Sequence, residues 1–268
     1  MNPAALELVA LPVRALRRGA VWWAIGLAAM IALTMAFWPA FKGSRVIQQG
    51  LDMVPPALVQ AFGLQDFLSP EGYLRGNLYA ILVPLLLVLA AVSAVGGQTA
   101  GEEAAGRLEL YLAQPVDRRW FFLGRGIAVA VAVSVISGAV LVAQVASNAI
   151  VDVRVDFGRL ASTVVLSGLL ALLHAALGFA VAGFRARPQL VLTTGTVVAI
   201  AGYLVAALFP LSDVLAPWRH LSPWDWALGG DPLLHAAEPW RYAALVLPTV
   251  GLVVLGVRAF GRRDVAAA

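Results

Sequence analysis

Twenty-two positions, Gly101 to Phe122 (GEEAAGRLELYLAQPVDRRWFF), hold seven charged side chains: Glu102, Glu103, Arg107, Glu109, Asp117, Arg118 and Arg119. Uncharged runs flank them on both sides. Carboxylates and guanidiniums at this density pair with one another, with lipid headgroups or with a partner surface. Glu103 and Arg107 stand four apart with the acid first, the favourable order on a helix. Ala104, Leu108, Tyr111 and Leu112 make an apolar stripe on that helix, and Pro115 ends it. Asp117 is placed to cap the next helix, and Arg118 and Arg119 fall at lipid phosphate height. The spacing predicts a short amphipathic helix, a turn and a re-entry into an apolar run. Two roles fit: an anchor in the membrane interface, or a docking element for a cytoplasmic partner. The charge pattern alone favours the anchor, because most charge runs are solvated faces.

Other reactive side chains are sparse. His174 lies in the middle of an apolar run, where an ionisable group is a functional candidate, although a neutral histidine also packs between helices. Packing is the preferred reading. Thr193, Thr194 and Thr196, with Gln144, Ser147 and Asn148, either line a cavity or bond between helices, and the second is preferred. His174, Thr193 and Thr196 are the residues a substrate path would use. Ser222, Asp225 and His235 share one segment without the spacing of a nucleophile motif. The three histidines are scattered and no H-E-x-x-H occurs. There is no cysteine, which removes thiolate and disulfide chemistry. No metal site, bound cofactor or catalytic residue is expected. A P-loop needs a lysine on the phosphates, and the single lysine is Lys42, followed by Gly43. Any ATP that drives this chain is therefore expected, with its magnesium, on another polypeptide.

The elements that position these groups are membrane helices. Hydrophobic residues make up 61% of the 268 residues and charged ones 13%, about half the charge of a soluble domain. A span needs about 20 apolar residues. Reading between charges gives six: about 19–41, 76–98, 124–150, 160–184, 188–210 and 240–260. The expected fold is all-α, a single polytopic transmembrane domain over 1–268 with amphipathic interfacial helices. With both termini taken inside, inner segments hold twelve Lys and Arg and outer segments seven, while nine of the fifteen acids fall outside. That bias places both termini and residues 99–122 in the cytoplasm. The first run is too long and Trp-rich for a cleaved signal peptide and is expected to be retained. Residues 1–18 carry Leu6, Val9, Val13 and Leu16 at helical spacing and end in Arg14, Arg17 and Arg18. They predict an amphipathic interface helix kinked at Pro12. Pro55-Pro56 and Ser69-Pro70-Glu71 predict short outer helices. The Pro- and Trp-rich stretch 210–240 predicts an irregular interfacial belt. Pro84 and Pro248 are expected to kink spans two and six.

Gly101-Glu102-Glu103, Gly106, Leu108-Glu109-Leu110, Pro115-Val116 and Arg118 resemble the cytoplasmic signature of ABC-transporter permeases of the type-2 exporter class. In that family G-E-E is followed by G-T-L-E-L-L-L and then P-V-S-R between spans two and three. Arg107 replaces a usual Thr, Tyr111 a Leu and Asp117 a Ser, and Asp117 keeps the capping role. The resemblance implies a coupling helix with Glu102, Glu103, Arg107, Leu108 and Glu109 on an ATPase subunit, braced by Arg14, Arg17 and Arg18. It implies two P-loop ATPase copies, a second permease chain (identical or different), a lipid bilayer and no nucleic acid. Export of a hydrophobic or amphipathic compound, whether a drug, antibiotic, lipid or peptide, across a bacterial plasma membrane is the activity the resemblance implies. The alternative is a non-transporting scaffold or sensor subunit that holds a cytoplasmic partner with the same helix.

Overall fold

The computed structural model describes residues 3–42, 44, 49–50, 53–55, 59, 69–106, 117–185 and 187–263, with backbone alone for 3–8. Among the described residues every regular element is helical. Six helical stretches are long and apolar enough to cross a membrane: Val9–Phe41, Pro70–Ala104, Arg118–Ile150, Phe157–Phe184, Pro188–Leu211 and Pro239–Arg262. Their centres fall in the apolar runs of the sequence. Most of the helix expected from Pro55-Pro56 lies outside the described residues, as do Arg107 and, of the apolar stripe, Leu108, Tyr111 and Leu112.

Helix α1, Pro3–Ala36, differs from the expectation of a separate interface helix. It runs unbroken through Arg17 and Arg18 into the first span. Arginine is a good helix former, and Pro12 removes only one hydrogen bond. Its 34 residues span about 51 Å at 1.5 Å per residue, well beyond the roughly 30 Å of a hydrocarbon core. A short α2 follows, Trp38–Phe41. The second span begins with α3, Pro70–Leu74, capped as its sequence indicates: Ser69 Oγ accepts from Gly72 N at 3.0 Å and Pro70 opens the helix. A π-helical turn, Arg75–Tyr79, leads into α4, Leu82–Gln98. Pro84 explains the break between them, because its ring collides with the carbonyl four residues back and its missing N–H cannot bond there. Pro248, by contrast, stays inside a continuous helix.

The remaining elements are α5, Ala100–Ala104; α6, Arg118–Ile150; α7, Phe157–Phe184; α8, Pro188–Leu208; α9, Pro223–Leu228; and α10, Pro239–Arg262. Asp117 caps α6, with Oδ1 accepting from Arg119 N at 2.7 Å and Trp120 N at 3.3 Å. Asp156 caps α7 through Arg159 N at 2.8 Å. Between α8 and α10 lie two 3₁₀ turns, Phe209–Leu211 and Ala216–Leu221, and α9, which matches the irregular belt expected there.

Helix α7 is the centre of the bundle and packs against α4, α6, α8, α9 and α10. Its small residues permit this, since close helix approach in lipid needs little side-chain bulk. The closest approach is at Gly183: a Cβ there would overlap the Gly256 carbonyl oxygen of α10. Gly178 lies nearer α8, where a Cβ would meet Val191 at 3.1 Å. The two most extensive helix pairings are α1 with α6 and α7 with α10. Glu103, Arg118, Ala182 and Arg263 meet at one end of the bundle, here termed basal; the other end is distal.

Candidate functional site

The basal site is built on a break in the second span. At Thr99 the backbone leaves helical geometry, and Thr99 Oγ1 donates to Val95 O at 2.6 Å. Gly101 follows, and a Cβ there would come 3.1 Å from the Gly96 carbonyl oxygen. Helix α5 then carries Glu102 and Glu103. Successive residues on a helix point about 100° apart, so the two carboxylates reach different neighbours. Glu102 faces the buried Arg125 of α6, with Oε2 3.8 Å from its guanidinium. Glu103 forms an ion pair with Arg263, at the end of α10. Gly106 closes the turn at φ 69°, a left-handed conformation that glycine adopts without strain.

Both arginines are held by further contacts. The Arg125 guanidinium lies 4.1 Å from the Phe121 ring centre. Arg263 also donates to Ala182 O of α7 at 3.2 Å, and its own carbonyl lies 3.5 Å from Arg118 of α6. Beneath them Phe122 is stacked between Phe179 and Phe260, at centroid distances of 4.1 and 4.4 Å. Thr99, Glu103, Phe122, Arg125, Ala182 and Phe260 surround a void of about 10 Å³, on the scale of one water.

Of the residues assigned to docking by sequence, Glu102 and Glu103 are therefore brought to one charged surface with α6 and α10. Arg107, Leu108 and Glu109 lie outside the described residues. Arg14, Arg17 and Arg18 are exposed on α1. Sequence reasoning counted Arg125 and Arg263 only as inside charges and missed them as partners of Glu102 and Glu103. Arg125 had a legible signal: it sits about two turns inside an apolar helix, where an arginine needs a counter-charge. Arg263, 160 positions from Glu103, had none.

The expected substrate-path residues are not gathered. His174 is buried on α7, and its Nδ1 donates to Leu170 O at 2.8 Å, which leaves a buried Nε2 with no protein partner. Thr193 is exposed and Thr196 half-buried on α8. A separate cavity of about 210 Å³ lies between α1, α4 and α6, lined by Leu16, Gly19, Trp23, Ser93, Ala94 and Val133 among others, and by none of those three. Gln144 does bond between elements: it accepts from Tyr79 Oη at 3.3 Å and donates to Asn148 at 2.8 Å.

At the distal end Asp225 is the hub. Its Oδ2 lies 2.7 Å from Nδ1 of His220, and Arg219 lies 3.7 Å from Oδ1. The Asp225 and Trp226 carbonyls accept from the buried Arg241 at 2.9 and 3.2 Å. Ser222 Oγ donates to Gly202 O at 2.6 Å and accepts from Trp224 N. That hydroxyl is committed to joining α8 and α9, and His220 rather than His235 meets the aspartate. The cluster is a fastening of the distal segment, with no nucleophile poised.

The protein-family model described as Multidrug efflux system permease Rv1217c, C-terminal domain, matches residues 7–261. No curated protein matches the chain.

Proposed function

The chain belongs to the multidrug efflux permease family whose model covers residues 7–261, and we propose that it is the membrane-spanning half of an exporter driven by ATP hydrolysed on a separate chain. It is a multi-pass membrane protein and a transport permease. The observation that carries the ATP-driven reading is α5: a short acidic helix that ends the second apolar stretch beyond the break at Thr99, held by ion pairs to α6 and α10. A segment that only anchors in the interface needs lipid contacts. A segment that passes force into the bundle needs fixed attachments to the spans, and α5 has two. With no P-loop lysine in the sequence, this reading assigns ATP and magnesium to the partner.

In this reading the basal end faces the cytoplasm of a bacterial cell, as the arginine bias favours. Residues 99–122 form the coupling region, with Arg107, Leu108 and Glu109 toward the ATPase, Glu102 and Glu103 fastening the region to α6 and α10, and Arg14, Arg17 and Arg18 beside it. Two permease chains and two ATPase subunits make the working unit. The cargo is apolar or amphipathic, since the cavity between α1, α4 and α6 is lined, among the described residues, by apolar side chains and Ser93. His174, Thr193 and Thr196 are the candidates for contacts along its path.

Purification of the tagged chain in mild detergent tests this. A stoichiometric P-loop ATPase that hydrolyses ATP in the complex supports the exporter. A folded chain that purifies with a cytoplasmic partner lacking a P-loop would favour the scaffold or sensor.

A further inference from the structure

Glu102 and Glu103 are adjacent, yet they attach to the two different helix pairs of the bundle. Glu102 reaches Arg125 in the α1–α6 pair, and Glu103 reaches Arg263 at the foot of the α7–α10 pair. The α7–α10 pair is locked internally by the backbone contact at Gly183 and Gly256. Arg263 adds to that lock, because the same guanidinium that holds Glu103 also holds Ala182 O of α7. Between the pairs, the stack of Phe122 on Phe179 and Phe260 is held by apolar contact, which is non-directional. Charged hydrogen bonds fix direction as well as distance, and Glu103–Arg263 is one; Glu102 and Arg125, 3.8 Å apart, attract as an ion pair. The attachments that define where α5 sits relative to each pair are thus the two ion pairs.

We propose that Arg263 is a positioning residue for transport: with Glu103 it straps α5 to the α7–α10 pair, so that displacement of the coupling region is passed to the sixth span. The Glu102–Arg125 pair does the same for the third span. This inference rests on the exporter reading above. It assigns a function to the end of the last helix, remote in sequence from the coupling segment.

The chain has no cysteine, so introduced cysteines are the only labelling sites. Spin labels at Ala104→Cys and Arg262→Cys, both exposed positions, report the separation of α5 from α10 in the full chain in lipid nanodiscs. A narrow distance distribution is expected with Arg263 present. Arg263→Gln broadens it, Arg263→Lys keeps it narrow, and Glu103→Arg with Arg263→Glu narrows it again relative to either reversal alone. In the complex with its co-purified ATPase, Arg263→Gln leaves ATP hydrolysis within twofold. It lowers ATP-driven movement of ethidium, the probe, by roughly 5–150-fold, the usual span of coupling between sites, and Arg263→Lys recovers most of it. A distribution unchanged in Arg263→Gln, or full transport in that variant, overturns the strap. If the wild-type chain carries no ATPase and moves no probe, the exporter reading fails and the transport role of Arg263 fails with it. The label distances then still decide whether Arg263 fixes α5 to α10.

Discussion

Gly183 of α7 packs against the backbone of Gly256 of α10: a Cβ at Gly183 would overlap the Gly256 carbonyl oxygen, and one at Gly256 would press on Phe179 and Ala180 at 3.0 to 3.1 Å. A methyl group at Gly183 has to displace the Gly256 carbonyl, which cannot yield without moving α10. Gly183→Ala is expected to destabilise the protein by about 1–3 kcal/mol, the usual cost of overpacking. Thermal unfolding in a fixed detergent measures this. An unchanged midpoint would mean that the two helices do not meet there.

Phe122 fills the space between Phe179 and Phe260 at the basal end. Truncation opens a cavity under α5 and removes two aromatic contacts. Phe122→Ala is expected to cost about 3–5 kcal/mol, and Phe122→Leu clearly less. The comparison of the two variants by unfolding separates lost packing from a general intolerance of the site.

Arg241 fastens the distal segment by its guanidinium fork, bonded to the Asp225 and Trp226 carbonyls and paired with Glu238 at 3.1 Å. Lysine has no planar fork and cannot reproduce that set. Both Arg241→Ala and Arg241→Lys should therefore expose the segment around Trp224 and Trp226 to chymotrypsin, while the rest of the bundle stays protected. Protection in Arg241→Lys equal to wild type would show that charge alone is enough.

Gly19 is the opposite case to Gly183. It lies within α1, and a Cβ there meets nothing within 4 Å. Gly19→Ala should stabilise the helix by about 1 kcal/mol through propensity alone. A raised unfolding midpoint is the expected result. A lowered one would place another chain or element against that face.

Much of this architecture was legible in the sequence, and the reasons differ by element. The spans follow from uncharged runs longer than a bilayer is thick, and Ser69 and Asp117 from local capping chemistry. These signals involve neighbours in the chain. The continuity of α1 from Pro3 to Ala36 is not legible in the sequence, because Pro12 and the arginine cluster look like a boundary, although neither forbids a helix. The partners of Glu102 and Glu103 were not legible. Arg263 is a terminal arginine like Arg258 and Arg262, and only the crossing of α7 and α10 at two glycines carries it to α5. His220 was passed over for His235 because the 3₁₀ turn that brings it to Asp225 has no distinctive spacing.

The central claim is ATP-driven outward transport by this permease. Inside-out vesicles from cells expressing the chain with its co-purifying ATPase test it most directly, with ethidium accumulation as the readout. Accumulation is expected to require ATP and this chain, to stop with vanadate, and to fall when Glu103 is reversed to Arg. Vesicles that contain the intact complex and hydrolyse ATP, yet gather no more ethidium or other apolar cations and drugs than vesicles lacking the chain, would contradict it.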